Sequence, residues 1–275
     1  MIDTPRRIGA SLDGIGLLGP GLPDWPSTAA VLRGAQAYGA ARTVLPAPHA
    51  LPPAERRRAT AAIKLTLAAG MEALAMAGRR ADDLRTVFAA SGGDGANCHA
   101  ICETLASDDR LLSPTRFHNS VHNAASGYWG IATHSMAPSA VLSAPHDGSF
   151  AAALLEALTE VALTGDDVLL LVHDTEYPEP LRAARPIPDN FAVALLLCAR
   201  AGATSLGRLE LDVQTPFTEA AADAVDDPEL DALRRAIPAA RALGLLQRVA
   251  TGRAGTVVVD HMPGPQRLAL SFTPC

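Results

Sequence analysis

The chain predicts an α/β fold with a mostly buried sheet, and three features carry that expectation. DVLLLVH (167–173) and FAVALLLCA (191–199) are continuous apolar runs of strand length, the pattern of strands covered on both faces. Between such runs stand segments with apolar residues at helical spacing, as in 55–77, where Ala62, Ile63, Leu65, Leu67, Met71, Leu74 and Ala75 recur. Strands alternating with helices make a sheet layered by helices. The third feature is composition: 275 residues, 48% hydrophobic and 19% charged, are material for a large core and unlike a disordered segment.

Taken in order, Ile8 to Ile15 predicts a first strand, GPGLPDWP a loop, and Pro26-Ser27-Thr28 the start of a short helix. Residues 37–53 hold four prolines and one glycine and read as connection. One long amphipathic helix is expected over 55–77, then a buried strand at RTVFAAS (85–91). SGGDGAN turns into a helix from about Cys98 to Ala106, and a further helix is expected over 122–133. Ala140 to Ala144 predicts a strand, SAPHDGSF a sharp turn, and 149–163 a helix. The tail from Leu206 adds a strand, one helix over 228–249, and closing strands near 256–260 and 267–272. No internal repeat at a solenoid period and no low-complexity linker stands out.

Charge and cysteine usage exclude several classes. With 23 basic against 29 acidic residues, net −6, no electrostatic footprint for nucleic acid is present. The longest apolar run, 191–199, is too short for a membrane span. MIDTPRRIGASLDG lacks the apolar core of a signal peptide, and four cysteines make no disulfide framework, so a reduced, cytoplasmic protein is expected.

Four stretches carry candidate chemistry. GIGLLG (14–19) has the spacing of a dinucleotide fingerprint, but Pro20, Gly21 and Pro23 follow where a helix should open on the pyrophosphate. Cys98, Cys102, His118 and His122 have a zinc-finger-like order; two helix-face cysteines and two hydrogen-bonded histidines are the alternative. SPTRFHNSVHNAASGYWGIAT packs His118, Asn119, His122, Asn123, Tyr128 and Trp129 together, to line a cavity, an interface or a polar core network. At the sharp turn, His146 and Ser149 offer a base and a nucleophile without an evident orienting third group, while capping of the following helix by Asp147 or Ser149 is the commoner use of Asp-Gly-Ser.

From residue 8 to about 198 the order of elements resembles the first half of a β-ketoacyl synthase, a thiolase-fold condensing enzyme. VFAASGGDGANCHAICETL is similar to that family's strand, Gly-rich turn and helix. SPTRFHNSVHNAASGYWGIATHSMAPSAVLSA is similar to its dimer-forming region, with Ala137-Pro138 where Gly-Pro is common. In that family the strand ends at a nucleophilic cysteine on a turn. Counting from Ala137-Pro138, that position falls on or beside His146, and no cysteine lies between Cys102 and Cys198. The family's two second-half histidines have no counterpart either: after His173 only His261 follows, in VVVDHMPG.

SGGDGANCHAICE, SPTRFHNSVHN and YPEPLR resemble the cysteine-less chain-length factors of bacterial aryl polyene and xanthomonadin-type pigment clusters. The resemblance implies a thiolase-like fold with a complete first half (1–200) and a truncated second half (201–275) packed on it. It implies a non-catalytic subunit without cofactor or metal. Such a subunit pairs with a complete ketosynthase, lays the strand containing Ala140, Val141 and Leu142 against the partner's, and meets acyl carrier protein through the complex. Phe117, His118, His122, Asn123, Trp129, Met136 and Phe150 are the candidates for walling an acyl tunnel or the interface, around a pseudo-active-site elbow at His146, Asp147 and Ser149. The alternatives are an independent acyltransferase or hydrolase using Ser149 and His146, and a zinc-binding accessory protein using the Cys/His set.

Overall fold

The apolar runs form the middle of one mixed sheet. The computed structural model describes residues 7–144, 147–262 and 264–275. Its strands are β1 (Arg7–Leu18), β2 (Arg85–Ala89), β3 (Ser139–Leu142), β4 (Val168–Asp174), β5 (Phe191–Cys198), β6 (Gly207–Asp212), β7 (Phe217–Thr218), β8 (Gly255–Asp260) and β9 (Arg267–Pro274). They run in the order β3-β2-β4-β5-β1-β6-β9-β7, with β8 paired to β9. β2 is parallel to β3 and β4; β5 is antiparallel to both β4 and β1. Every residue of β4 and β5 is buried, as runs without polar alternation require.

The helices are α1 (Trp25–Leu32), α2 (Pro53–Arg58), α3 (Ala61–Ala77), α4 (Gly95–Ala106), α5 (Pro114–His118), α6 (Ala124–Thr133), α7 (Ser149–Thr164), α8 (Leu181–Ala184), α9 (Pro228–Ala236) and α10 (Leu243–Thr251), with a 3-10 helix at Pro238–Ala242. Alternation along β4 sorts the core into two layers. Val168, Leu170 and Val172 join Phe150 and Leu154 of α7, α1, the 3-10 helix and α10 on one face. Leu169 and Leu171 join α3 and α6 on the other, with Phe88 and Trp129. No described helix is long and apolar enough to cross a membrane.

Two expected helices are broken. The 55–77 pattern divides because Ala59 and Thr60 are extended (ψ 121° and 176°), and the Arg58 carbonyl so freed accepts from Asn119 Nδ2 at 2.9 Å. The 228–249 pattern divides at Pro238, which has no N–H to give and forces Ile237 out of helical geometry (φ −118°, ψ 122°). Other boundaries move by a few residues: α4 starts at Gly95, capped by Asp94, which accepts from Asn97 N at 2.9 Å, and α6 starts at Ala124.

β1 is longer than its pattern suggested, because GIGLLG continues the strand. Its first half pairs with β6 and its second with β5, so the strands of residues 207–274 extend the same sheet. The glycines serve packing. A Cβ on Gly14 would stand 2.3 Å from the Ala73 carbonyl oxygen, and one on Gly16 1.9 Å from that of Ala69. α3 therefore lies directly on the strand's backbone. Glu72 of α3 completes the contact: its carboxylate accepts from Leu17 N at 2.8 Å and Trp25 N at 2.6 Å, and burial holds its pKa above the usual value.

This contact makes Gly16→Ala costly, by about 3 kcal/mol, since backbone must move to admit one methyl. Gly127→Ala is the control: nothing lies within 4 Å of its Cβ position on α6, and the change is neutral or slightly stabilising. Urea midpoints of the two variants against the parent chain check both.

Candidate functional site

The polar groups of the molecule gather where β2 and β4 end and α7 begins. Asp174, the last residue of β4, is buried and accepts three hydrogen bonds: from Ser91 N at 2.9 Å, Ser91 Oγ at 2.5 Å and Ala239 N at 2.7 Å. It thus joins the ends of two strands to the 3-10 helix of the second half. Burial pushes its pKa up to about 6, against the pull of those bonds and of Arg185. His173 points to the other face of the sheet. Its ring is buried with Nδ1 unpaired, and desolvation, with a smaller contribution from His122, lowers its pKa to about 4.

At the elbow, Asp147 is bound on both carboxylate oxygens, by Arg185 at 2.8 Å and Arg241 at 2.6 Å. Arg241 also holds Asp260 at 2.8 Å; Asp260 is shared with Arg234 at 3.2 Å, and Arg234 holds Asp231 at 2.6 Å. The side chains of Arg241 and Arg234 are 11% and 7% exposed, so these charges are paired out of water, as burial demands. The chain of ions ties the elbow to α9 and to the β8–β9 hairpin. None of these arginines stood out in the sequence. The available signal was the aspartate closing the apolar run DVLLLVHD, a carboxylate that a buried strand must partner.

The capping expected of Asp147 or Ser149 does not occur. Gly148 is the N-cap of α7, with no side-chain cap bond. Asp147 is held away by its arginines, and Ser149 Oγ touches only backbone, Ala144 N and O, both at 3.4 Å. Ser149 is fully buried, so its hydroxyl offers no surface to an acyl thioester, and nothing in the geometry favours it as a nucleophile. His146 lies outside the described residues.

The dense polar segment splits into an inner and an outer set. Asn119, Tyr128 and Trp129 are buried beside α3, with Trp129 edge-on to Phe88 at 6.3 Å between centroids. Among the described residues Trp129 Nε1 has no hydrogen-bond partner. His118, which stacks edge-on to Tyr128 at 6.2 Å, is exposed with His122 and Asn123, as are Phe117 (64%) and Met136 (95%). The expected tunnel set does not share one cavity within the chain. Trp129 of α6 and Phe150 of α7 sit on opposite faces of the sheet, and Met136 protrudes into solvent. Cys98 and Cys102 are exposed on α4, and among the described residues no three His, Cys, Asp or Glu side chains converge as metal donors.

Among the described residues β3 is an edge strand, paired to β2 alone. The carbonyls of Pro138 and Leu142 accept from Thr86 N and Ala90 N, so by alternation Val141 turns its N–H and C=O outward. Ala140, Val141 and Leu142 are half-buried. The preceding chain is poorly covered: α4 buries only Gly95 and Asn97, and Leu111, Phe117, Val121, Ile131 and Met136 are exposed.

A first-half sheet ordered β3-β2-β4-β5-β1, an edge strand at β3 and an elbow leading into a buried helix define a thiolase-like fold of the ketosynthase kind. The chain belongs to the beta-ketoacyl synthase N-terminal domain family, whose model matches residues 30–254. Among solved structures it is similar to the complex of the ketosynthase ApeO with its chain length factor ApeC from Xenorhabdus doucetiae (TM-score 0.65, 24% identity, covering 95% of this chain and 99% of that one). It is also similar to the ishigamide ketosynthase/chain length factor (TM-score 0.68, 13% identity, 97% and 99% covered). A third likeness is to AntDE:AntF, a type II polyketide synthase acyl-carrier protein in complex with its ketosynthase bound to the hexaketide (TM-score 0.71, 13% identity, 98% and 100% covered). No curated protein matches the chain.

The adjacent pair His173 and Asp174 sets opposing pH dependences. His173 titrates at about 4 in the fold against an ordinary 6.5, so its neutral ring contributes stability that is full above pH 6.5 and lost as pH falls through 4. Asp174 titrates at about 6 against 3.8, so its contribution is full below pH 3.8 and lost as pH rises through 6. Each amounts to about 3 kcal/mol, and they nearly cancel. Asp174→Asn is expected to gain stability steeply from pH 4 to 6.5, and His173→Gln to lose it. Urea unfolding at several pH values reads the slopes; equal slopes in both variants would contradict the assignment.

Proposed function

We propose that the chain is the non-catalytic, chain-length-factor-like subunit of a heteromeric β-ketoacyl-acyl-carrier-protein synthase, working in polyketide or fatty-acid-type chain elongation of the aryl polyene kind. The observation that carries this reading is the open edge of β3, where Val141 presents free backbone groups, in a chain whose preceding segment leaves Phe117, Val121, Ile131 and Met136 exposed. An unpaired edge is a surface that a second strand completes. The complete ketosynthase is that partner, and acyl carrier protein is served by the assembled pair. Its structural neighbours include ketosynthase and chain length factor complexes, which supports this reading.

The elbow supports a supporting role over a catalytic one. The sequence has no cysteine between Cys102 and Cys198, Asp147 is neutralised by two arginines, and Ser149 is sealed in the core. The reduced second half, 201–275, then acts as a brace, since Arg241, Arg234 and Asp260 come from it. Phe117, His118, His122, Asn123 and Met136 lie on the partner side in this reading and finish the tunnel wall only when the partner is present.

Co-expression with a complete ketosynthase from the same gene neighbourhood tests the proposal. A stable 1:1 heterodimer is expected on a sizing column, and Val141→Pro, which removes one outward N–H without touching the β2 ladder, is expected to abolish it while the isolated chain keeps its circular dichroism. Separate elution of the two wild-type chains would overturn the reading. So would covalent acylation of the isolated chain by an acyl thioester, detected by intact mass.

A further inference from the structure

The four residues with a zinc-finger-like order separate in the fold, and two of them stay together. His118 lies edge-on to Tyr128, and His122 stands beside the glycine turn, its Cδ2 3.6 Å from where a Cβ on Gly93 would lie. Cys98 and Cys102 remain one turn apart on α4, at i and i+4, where side chains share a helix face. Each is a free thiol exposed to solvent, and α4 buries only Gly95 and Asn97, so both sulfurs are reachable. Their closeness shows in the acidity of Cys98. Partial burial first, then the Cys102 thiol hydrogen-bonded to it, then Asp94 hold its pKa above the usual value.

The spacing decides what can join the pair. On a regular helix the Cβ atoms of residues so placed stand about 5–6 Å apart. A disulfide needs them at about 3.5–4.5 Å, so direct closure would have to distort α4. A metal ion between the sulfurs lengthens the bridge to two metal–sulfur bonds, roughly 4.5 Å from sulfur to sulfur, which the undistorted helix accommodates.

The number of donors decides which metal. Among the described residues no third His, Cys, Asp or Glu side chain completes a set with this pair. His99, next to Cys98 in sequence, is turned to Glu103 at 3.3 Å. Calcium and magnesium take oxygen ligands, and structural zinc takes four donors. Thiolates select copper(I), zinc and iron–sulfur clusters, and of these copper(I) alone is satisfied by two.

We infer that Cys98 and Cys102 form a two-thiolate site for a soft monovalent cation, copper(I), on the open face of α4. The ion displaces one proton from each thiol and forms two Cu–S bonds, leaving a singly charged, anionic bis-thiolate. No oxidation state changes, so no oxidant or reductant takes part. The bridge clips α4 across residues 98–102 and shares no residue with the β3 edge.

Competition titration of the full reduced chain, without oxygen, against the copper(I) complex of bicinchoninate tests the site. One copper(I) per chain is expected to leave the chelator, and this uptake is expected to be lost in Cys98→Ser and in Cys102→Ser alike. Cys275→Ser, which removes the third exposed cysteine, is expected to take up copper(I) as the parent chain does, and zinc(II) is expected to separate from the parent chain on gel filtration. Both serine changes on α4 lie at exposed positions, and circular dichroism confirms that each variant is folded. Undiminished uptake by the Cys98→Ser/Cys102→Ser double variant would overturn the inference. So would zinc(II) held by the same two cysteines, or a parent chain that leaves copper(I) on the chelator. None of these outcomes touches heterodimer formation, so the two readings fall separately.

Discussion

The contact between β1 and α3 is the constraint around which the fold is arranged. A strand whose glycines admit helix carbonyls to its backbone has one position on that helix, and Glu72 fixes it lengthwise through Leu17 and Trp25. β1 also joins the two parts of the sheet, pairing with β5 on one side and β6 on the other. The placement of α3 therefore sets where the strands of 207–274 can join. From there follows the position of the 3-10 helix, whose Ala239 N reaches Asp174.

Electrostatics at the elbow follow the same logic of enforced pairing. An alternating series, Asp147–Arg241–Asp260–Arg234–Asp231, leaves each inner member bound on two sides. Breaking such a series at one member strands a charge in a region with little water, which costs more than the pair contributes when intact. The arrangement specifies a shape. It holds α7, the hairpin and α9 in register, and it spends on internal partners the charges that a reactive centre would turn toward substrate.

Much of the fold was legible in the sequence, because buried strands and amphipathic helices leave periodic signatures. The runs at 167–173 and 191–199 became β4 and β5, and the strand–turn–helix at 140–163 became β3, the elbow and α7. Family membership was legible through the same segments. Helix breaks were less so: Pro238 announces one plainly, whereas Ala59 and Thr60 have no breaker chemistry, and the Arg58 carbonyl their extended backbone frees is satisfied by Asn119, 61 residues away. The site was the least legible part. Asp147 was singled out as a possible cap, yet its role is set by Arg185 and Arg241, 38 and 94 residues distant, and no local pattern encodes such a meeting. GIGLLG shows the converse: a spacing suggestive of a ligand loop proved to be the footprint of a helix.

The short edge at β3 also bears on how the chain meets copies of itself. Free backbone groups, in a chain that leaves Phe117, Val121, Ile131 and Met136 exposed, invite any strand that passes, including one from a second copy. The four residues of β3 keep that edge short, which limits edge-to-edge association between copies while no cover is bound.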